Sequence, residues 1–214
     1  MNKKFSDGGL YRGLIYFANL VLLNVLFFIC SIPVVTLGAS SSALYTMMRK
    51  LHNDETLVIG GFFSSFKDCL RQSTLSWLIM LTPGAFLYYE WSVLVQYSGD
   101  VPVFVYISMV VVSLCYTCFL PWLFIQPTLF SCTQKQQFKN AALLIIQVFP
   151  QTLAAAILSV LPLGVFLFAT LQFFALWPLW LFLYFSAAHG LIMTILKGPI
   201  DNLIRQFHSD SPTS

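Results

Sequence analysis

The chain has 214 residues, of which 58% are hydrophobic and 9% are charged, and its mean hydropathy is +0.80. A soluble globular domain carries roughly 25% charged residues, so this composition cannot cover a water-facing surface and predicts a membrane protein. The net charge of +3 is small and dispersed, which argues against nucleic acid as a partner and favours contact with anionic lipid headgroups.

The positive charges fall in clusters that long apolar stretches separate. In chain order they are Lys3, Lys4, Arg12, Arg49, Lys50, Lys67, Arg71, Lys135, Lys139, Lys197 and Arg205. Because short loops rich in Lys and Arg stay in the cytoplasm, these clusters predict cytoplasmic helix ends, with both termini on that side. The five cysteines lie in or beside apolar segments or on this reducing side, so no disulfide framework is expected.

Five apolar runs predict five full membrane spans, since a helix needs about 20 mainly apolar residues to cross the hydrocarbon core. They cover residues 14–32, 73–89, 101–126, 150–170 and 171–196. The predicted fold is therefore all-α, a multi-pass transmembrane helical bundle that forms a single domain over residues 1–214. A cleaved signal peptide is the less favoured interpretation of the first run, which exceeds the ~7–15 apolar residues of a signal core.

Residues 33–48 are too short for an ordinary crossing, yet they must return the chain to the cytoplasm if both Arg12 and Arg49 lie there. Their small side chains allow close helix packing, and we predict a short half-span that is buried in protein. Two alternatives remain: five spans with the N-terminus outside, or a first segment that bends along the inner surface. The candidate partner-interface residues in this segment are Pro33, Thr36, Gly38, Ala39 and Ser41.

Two segments between the spans are amphipathic at helical spacing. In residues 61–73 the apolar face carries Phe62, Phe63, Phe66, Cys69 and Leu70 and the polar face Lys67, Asp68 and Arg71. In residues 134–146 the apolar face carries Phe138, Ala141, Ala142 and Ile145, opposite Lys135, Lys139 and Asn140. We predict amphipathic cytoplasmic helices on the inner membrane surface, either as lipid anchors or as docking sites with Phe62, Phe66, Lys67 and Arg71 as partner contacts.

Residues 62–130 and 134–196 resemble each other weakly. Each contains a triplet, Phe66-Lys67-Asp68 in the first and Phe138-Lys139-Asn140 in the second, which precedes a span with a proline, Pro83 or Pro162. Both copies start from the same predicted side, so the pattern indicates a parallel repeat of an amphipathic helix and a hairpin.

His189 is the ionisable side chain that lies deep in a predicted span, which makes it a candidate ligand-binding residue. The alternative is a neutral imidazole that is hydrogen-bonded to a neighbouring helix. Asn19, Asn24 and Gln126 are predicted to form hydrogen bonds between helices.

Catalytic and metal-binding patterns give no candidate site. Cys115 and Cys118 have C-x-x-C spacing but lie mid-span without a second Cys or His pair, so we assign them a structural role. The chain contains no phosphate-binding loop, no H-E-x-x-H and no G-x-S-x-G. We therefore expect no enzyme, no cofactor and no metal.

The sequence ICSIPVVTLGASSSALY at residues 29–45, with FFSSFK at 62–67 and Gln72-Ser73 after it, resembles the YesL-like family of small bacterial integral membrane proteins. Members are often associated with oligosaccharide use and ABC-type sugar importers. The resemblance thus implies a bacterial cytoplasmic membrane location and an accessory or regulatory role in carbohydrate uptake, with an ABC importer permease as partner. The chain lacks the E-A-A---G loop of a permease, so its role would be auxiliary. The alternative is a small transporter or channel with a cavity near His189.

Overall fold

The computed structural model describes residues 9–52, 58–97, 99–130, 133–168 and 174–209. Every regular element in these ranges is helical, which confirms the predicted all-α class. The longer helices are α1 (Gly9–Ser31), α2 (Leu37–His52), α3 (Val58–Gln96), α4 (Val103–Ile125), α5 (Gln134–Gln147), α6 (Phe149–Phe168) and α7 (Phe185–Ser209). Short 3-10 turns precede α2 (Val34–Thr36) and follow α4 (Gln126–Thr128). A helical turn (Trp177–Leu179) and a π-helical turn (Trp180–Tyr184) lead into α7.

Several helices are long and apolar enough to cross a membrane, as a multi-pass membrane protein requires. Within the described ranges these are Gly13–Ser31, Val58–Gln96 and Val103–Thr128, and the pair Gln134–Gln147 and Phe149–Pro162, bent by 111°, makes a fourth if it counts as one span. The start of the predicted fifth span, residues 171–173, lies outside the described residues. Large apolar side chains of α3 and α4 are exposed, which suits a lipid environment; examples are Phe86, Tyr88, Phe104, Ile107 and Val110.

The helix α3 is unbroken over 39 residues, so the predicted division into a surface helix at 61–73 and a span at 73–89 is wrong. Neither proline nor a helix-ending signal occurs near Ser73, and the change from a mixed to an apolar sequence alters the surroundings of the helix without altering its backbone. At 1.5 Å per residue α3 is about 58 Å long, roughly twice the thickness of the hydrocarbon core. Arg71 and Glu90 are separated by about 28 Å along its axis, so residues 58–70 extend past the stretch that matches a bilayer.

The predicted amphipathic helix at 134–146 is confirmed as a separate element, α5. Its first turn has a capping box, in which the Thr133 hydroxyl accepts from the Gln136 backbone and the Gln136 side chain accepts from the Thr133 backbone. Lys135 and Lys139 are exposed, whereas Ala141 is buried. The two halves of the proposed repeat differ in structure, because α5 and α6 of the second half meet at a bend whereas α3 of the first half is continuous. The repeat therefore stays a prediction.

The helix α2 lies at the centre of the bundle. Each of residues 38–48 is buried, and α1, α3, α4 and α7 surround them. The hydrophobic core that includes Tyr45 and Met47 also contains Phe62 of α3, Trp122 of α4 and Ile192 of α7. Residues 38–48 thus lie in a buried helix packed on the chain's own helices, whereas Pro33, Val34 and Val35 at the start of the predicted half-span are exposed.

Candidate functional site

The contact between α2 and α3 depends on small side chains. A Cβ atom on Gly38 would lie 2.5 Å from the Ser73 carbonyl oxygen and 2.8 Å from the Trp77 Cβ, so this position has room for glycine alone. The Ser42 and Ser73 hydroxyls are 2.7 Å apart. Close helix approach of this kind brings backbones into van der Waals contact and allows hydroxyl groups to bond across the interface.

The carbonyl groups at the C-terminal end of α4 point into the same region. Pro127 has no backbone N–H, so the Leu123 carbonyl cannot receive the usual helical hydrogen bond. The side-chain amide of Gln137 donates to this carbonyl at 2.6 Å, and the Ser42 hydroxyl donates to the Phe124 carbonyl at 2.8 Å. Because Ser42 uses its proton there, Ser73 is the donor between the two serines.

The next carbonyls along the chain also receive side-chain donors. Thr128 donates to the Ile125 carbonyl at 2.6 Å, the Cys69 thiol approaches the Pro127 carbonyl at 3.7 Å, and the Arg49 guanidinium lies 3.4 Å from the Thr128 carbonyl. A cation suits the negative end of a helix dipole. We call the carbonyls of residues 123–128 and the side chains that donate to them the α4 cap. Side chains from α2, α3 and α5 converge there.

A cluster of amides and a hydroxyl joins α5 to α3 beside the α4 cap. Gln72 donates to the side-chain oxygen of Gln137 at 3.1 Å, and Gln134 donates to the Gln72 carbonyl at 3.0 Å. The Ser76 hydroxyl lies 2.9 Å from the Gln134 side-chain oxygen and 3.1 Å from that of Gln137. Gln126 donates to the Gln137 carbonyl at 3.2 Å, as expected of a residue predicted to bond between helices.

Sequence reasoning missed Gln137, which is fully buried and uses both ends of its side-chain amide. A signal for it exists in the helical spacing. Gln137 precedes Ala141 by four residues and Leu144 by seven, so it lies on the buried face of α5 among apolar residues. A glutamine on the apolar face of an amphipathic helix indicates a buried hydrogen-bond partner.

His189 lies on α7 among aromatic side chains. Its ring centroid is 4.3 Å from that of Tyr45 and 5.9 Å from that of Phe27. Nδ1 is 2.8 Å from the Phe185 carbonyl, and since a carbonyl can only accept, Nδ1 carries the proton and Nε2 is the acceptor in a neutral ring. This arrangement agrees with the interpretation of His189 as a hydrogen-bonded core residue, although its bond is to its own helix.

Asn24 on α1 bonds to the π-helical turn that precedes α7. Its amide nitrogen donates to the Trp180 carbonyl at 3.0 Å, and its oxygen accepts from the Ser186 backbone N–H at 2.7 Å. A π-helical turn interrupts the regular pattern of helical hydrogen bonds, and the Asn24 amide completes it from the neighbouring helix. The prediction that Asn24 bonds between helices is confirmed.

The remaining candidate interface residues divide between surface and interior. Pro33, Lys67 and Arg71 are exposed, and Lys67 and Arg71 lie one turn apart on α3. Thr36 and Phe66 are half-buried, and the side chains that are covered by the chain's own helices are those of Ala39, Ser41 and Phe62. The Thr36 hydroxyl lies 2.6 Å from the Cys30 carbonyl and 2.8 Å from the Pro33 carbonyl, within the α1–α2 connection.

The described residues hold no cluster of three or more His, Cys, Asp or Glu side chains that could bind a metal ion. Cys115 is exposed and Cys118 is buried, and both are free thiols. The side chains of the α4 cap are the hydroxyls of Ser42 and Thr128, the amide of Gln137, the Cys69 thiol and the Arg49 guanidinium, and each is directed at a carbonyl of residues 123–128. Such contacts hold helices together.

Residues 20–91 match the family model described as "Protein of unknown function, DUF624". The matched segment is about a third of the chain. It runs from the buried half of α1 through α2 to Trp91 of α3, and so contains the Gly38 contact and both partners of the Ser42–Ser73 hydrogen bond. No curated protein and no solved structure matches the chain.

Proposed function

We propose that this chain is a member of the YesL-like family and acts as an accessory membrane protein that binds the permease of an ABC-type carbohydrate importer in a bacterial cytoplasmic membrane. The family match over residues 20–91 supports the first part, since that segment contains the SIPVVTLGA sequence that carries the resemblance. The link to carbohydrate uptake rests on the resemblance alone.

The observation that carries the proposed binding role is an exposed basic surface on α3, formed by Lys67 and Arg71, which neighbouring helices hold in a fixed position. Lys67 and Arg71 are exposed, while Cys69, on the opposite side of the helix, faces the α4 cap, and Gln72 bonds to α5. Contacts with the α4 cap and with α5 thus hold this surface in place in the absence of a partner. A preorganised surface binds at lower entropic cost than a mobile one.

The second candidate function, a transporter or channel, has less support. Its cavity would lie near His189, where the rings of Tyr45 and Phe27 pack around the imidazole. Tyr45, Phe62 and Trp122 are buried side chains of the central core. A packed interior serves a scaffold better than a permeation path.

We further propose five crossings with a cytoplasmic C-terminus, and the contacts of α1 favour the alternative with its N-terminal end outside. The Val34 carbonyl accepts from the Trp77 indole at 2.8 Å, and Trp77 is about 9 Å along α3 from Arg71. Asn24, which lies earlier in α1, accepts a hydrogen bond from Ser186 of α7. Ser186 is about 16 Å along α7 from the basic residue Lys197. The helix α1 would therefore approach the basic side of the protein toward its C-terminal end.

Reporter fusions at residue 1 and after Ser214 test this topology. We expect an extracytoplasmic signal at the N-terminus and a cytoplasmic signal at the C-terminus. A cytoplasmic signal at residue 1 would restore the half-span arrangement that the N-terminal positive charges predict.

Co-purification from the native membrane tests the binding role. We expect importer permease subunits to be recovered with the wild-type chain and to be lost with the double variant Lys67→Glu, Arg71→Glu. The control double variant Lys135→Glu, Lys139→Glu makes the same charge change on α5, where both lysines are also exposed. Recovery of the chain alone, together with solute flux in vesicles that the His189→Ala variant abolishes, would support the transporter instead.

A further inference from the structure

A groove lies between α3 and α4 at the end of α3 that is remote from the basic cluster. Its volume is about 480 Å³, and the side chains that line it include Tyr89, Glu90, Val93, Leu94, Tyr97 and Met109. Glu90 is about 28 Å along the axis from Arg71, which is close to the thickness of the hydrocarbon core. In the proposed topology, in which α3 crosses the hydrocarbon core between Arg71 and Glu90, the groove is at the level of the lipid headgroups on the side opposite the basic cluster, and the inference rests on that topology.

Two hydrogen bonds between α3 and α4 hold together the helices that form the groove. Toward the middle of the bundle, the Tyr116 hydroxyl donates to the Met80 carbonyl at 3.2 Å, and a Cβ on Gly84 would be 2.5 Å from that hydroxyl oxygen. The Trp91 indole donates to the Ser113 hydroxyl at 3.0 Å. The groove is consequently a feature of a fixed helix pair rather than of a loose end.

The groove combines one carboxylate with aromatic rings and an apolar wall. Glu90 is half-buried and has no ion pair within the part of the chain that the structure describes. Tyr89 and Tyr97 are largely exposed beside it. A carboxylate among tyrosine rings attracts a cation by charge and by cation–π contact, and Val93, Leu94 and Met109 provide contact for methylene groups.

We propose that this groove binds a phospholipid with an ammonium headgroup, represented by phosphatidylethanolamine. The ammonium group pairs with Glu90 and lies against the tyrosine rings, and the glycerol and upper acyl methylenes lie on the apolar wall. Charge complementarity favours this lipid over phosphatidylglycerol, which carries no cation. The location at headgroup level favours a lipid over a soluble amine.

Gly99 controls the position of one of the tyrosine rings. A Cβ on Gly99 would be 2.7 Å from both Cε1 and Oη of Tyr97, so alanine at this position displaces the ring. The displaced atoms are at the far end of a flexible side chain, and the fold can accommodate the shift. Gly99→Ala therefore alters the groove and leaves every charge in place.

The test uses the purified full-length chain in detergent with added phosphatidylethanolamine or phosphatidylglycerol of identical acyl chains. Thermal unfolding and native mass spectrometry report stabilisation and retained lipid. We expect the wild-type chain to bind phosphatidylethanolamine at least about tenfold more tightly than phosphatidylglycerol. Glu90→Gln should abolish that preference, and Gly99→Ala should weaken the binding of phosphatidylethanolamine several-fold.

Asp100→Asn is the matched control, because Asp100 is an exposed acid at the same end of the molecule and does not line the groove. It should retain the lipid preference. Equal affinity for the two lipids, an unchanged preference in Glu90→Gln, or an equal loss in Asp100→Asn would each overturn the proposal. If Glu90→Gln does not fold, Gly99→Ala decides the question, and wild-type binding in that variant would count against the groove.

Discussion

Gly38→Ala should destabilise the protein, although glycine-to-alanine substitutions usually stabilise a helix. The new Cβ would lie 2.5 Å from the Ser73 carbonyl oxygen and 2.8 Å from the Trp77 Cβ. The first of these is a backbone atom and the second is bound directly to the backbone, so no flexible side chain can turn away. To restore ordinary contact the two helices must separate by about 1 Å, which stretches the Ser42–Ser73 hydrogen bond of 2.7 Å.

Gly60→Ala is the matched control, because Gly60 lies in a helix and a Cβ there would meet nothing within 4 Å. Both glycines lie in the first turn of their helices, so both substitutions gain a similar helix propensity, which is below the roughly 1 kcal/mol of a helix interior. Their difference in unfolding free energy therefore reports the packing clash alone, which we expect to be about 1–3 kcal/mol. The clash outweighs the gain in helix propensity, so Gly38→Ala should destabilise the protein, whereas Gly60→Ala should stabilise it slightly.

The assay is the stability of each purified variant in detergent, followed by the loss of helicity with heat or with a denaturing detergent. Gly38→Leu and Ala39→Leu should be more severe, because Ala39 is fully buried as well. Equal stabilities for Gly38→Ala and Gly60→Ala would refute the close approach of α2 and α3. In that case the small residues of α2 would not be explained by packing within the chain.

Three further substitutions test the polar contacts between helices. Gln137→Leu should lower stability by about 1–3 kcal/mol because a buried carbonyl of α4 loses its donor, whereas the exposed control Gln147→Leu should change it little. Asn24→Leu should cost about 1–2 kcal/mol and loosen the π-helical turn, which hydrogen exchange would detect as faster exchange there, and Asn19→Leu should have no such effect. His189→Ala should reduce thermal stability through lost packing but leave growth on carbohydrate unchanged; a growth defect at full stability would assign His189 a functional role.

Much of the fold follows from local sequence. The predicted span at 101–126 corresponds to α4 (Val103–Ile125), and the amphipathic segment at 134–146 corresponds to α5 (Gln134–Gln147). A continuous apolar run predicts α4, and a capping box together with an amphipathic pattern at helical spacing predicts α5. These signals are contained within one helix, so no knowledge of its neighbours is needed.

The composition of residues 33–48 also indicated close packing, because glycine, alanine and serine leave room for a neighbouring backbone. It could not indicate the neighbour. The structure sets Gly38 against Ser73 and Trp77 of the same chain, so the closest contact is internal. Which surface a small-residue stripe faces depends on the other helices, and their positions are not encoded in the stripe itself.

Only the tertiary structure decided that α3 continues through Ser73 and that Gln137 and Asn24 bond to backbone groups of other helices. Composition predicts the environment of a segment, whereas a helix ends where its backbone hydrogen bonds find other partners. The Leu123 carbonyl is left free by Pro127, which is visible in the sequence, but its donor comes from a different helix. Each buried polar group requires a hydrogen-bond partner. The sequence by itself determined which groups require one, and the packing of the helices determined which group provides it.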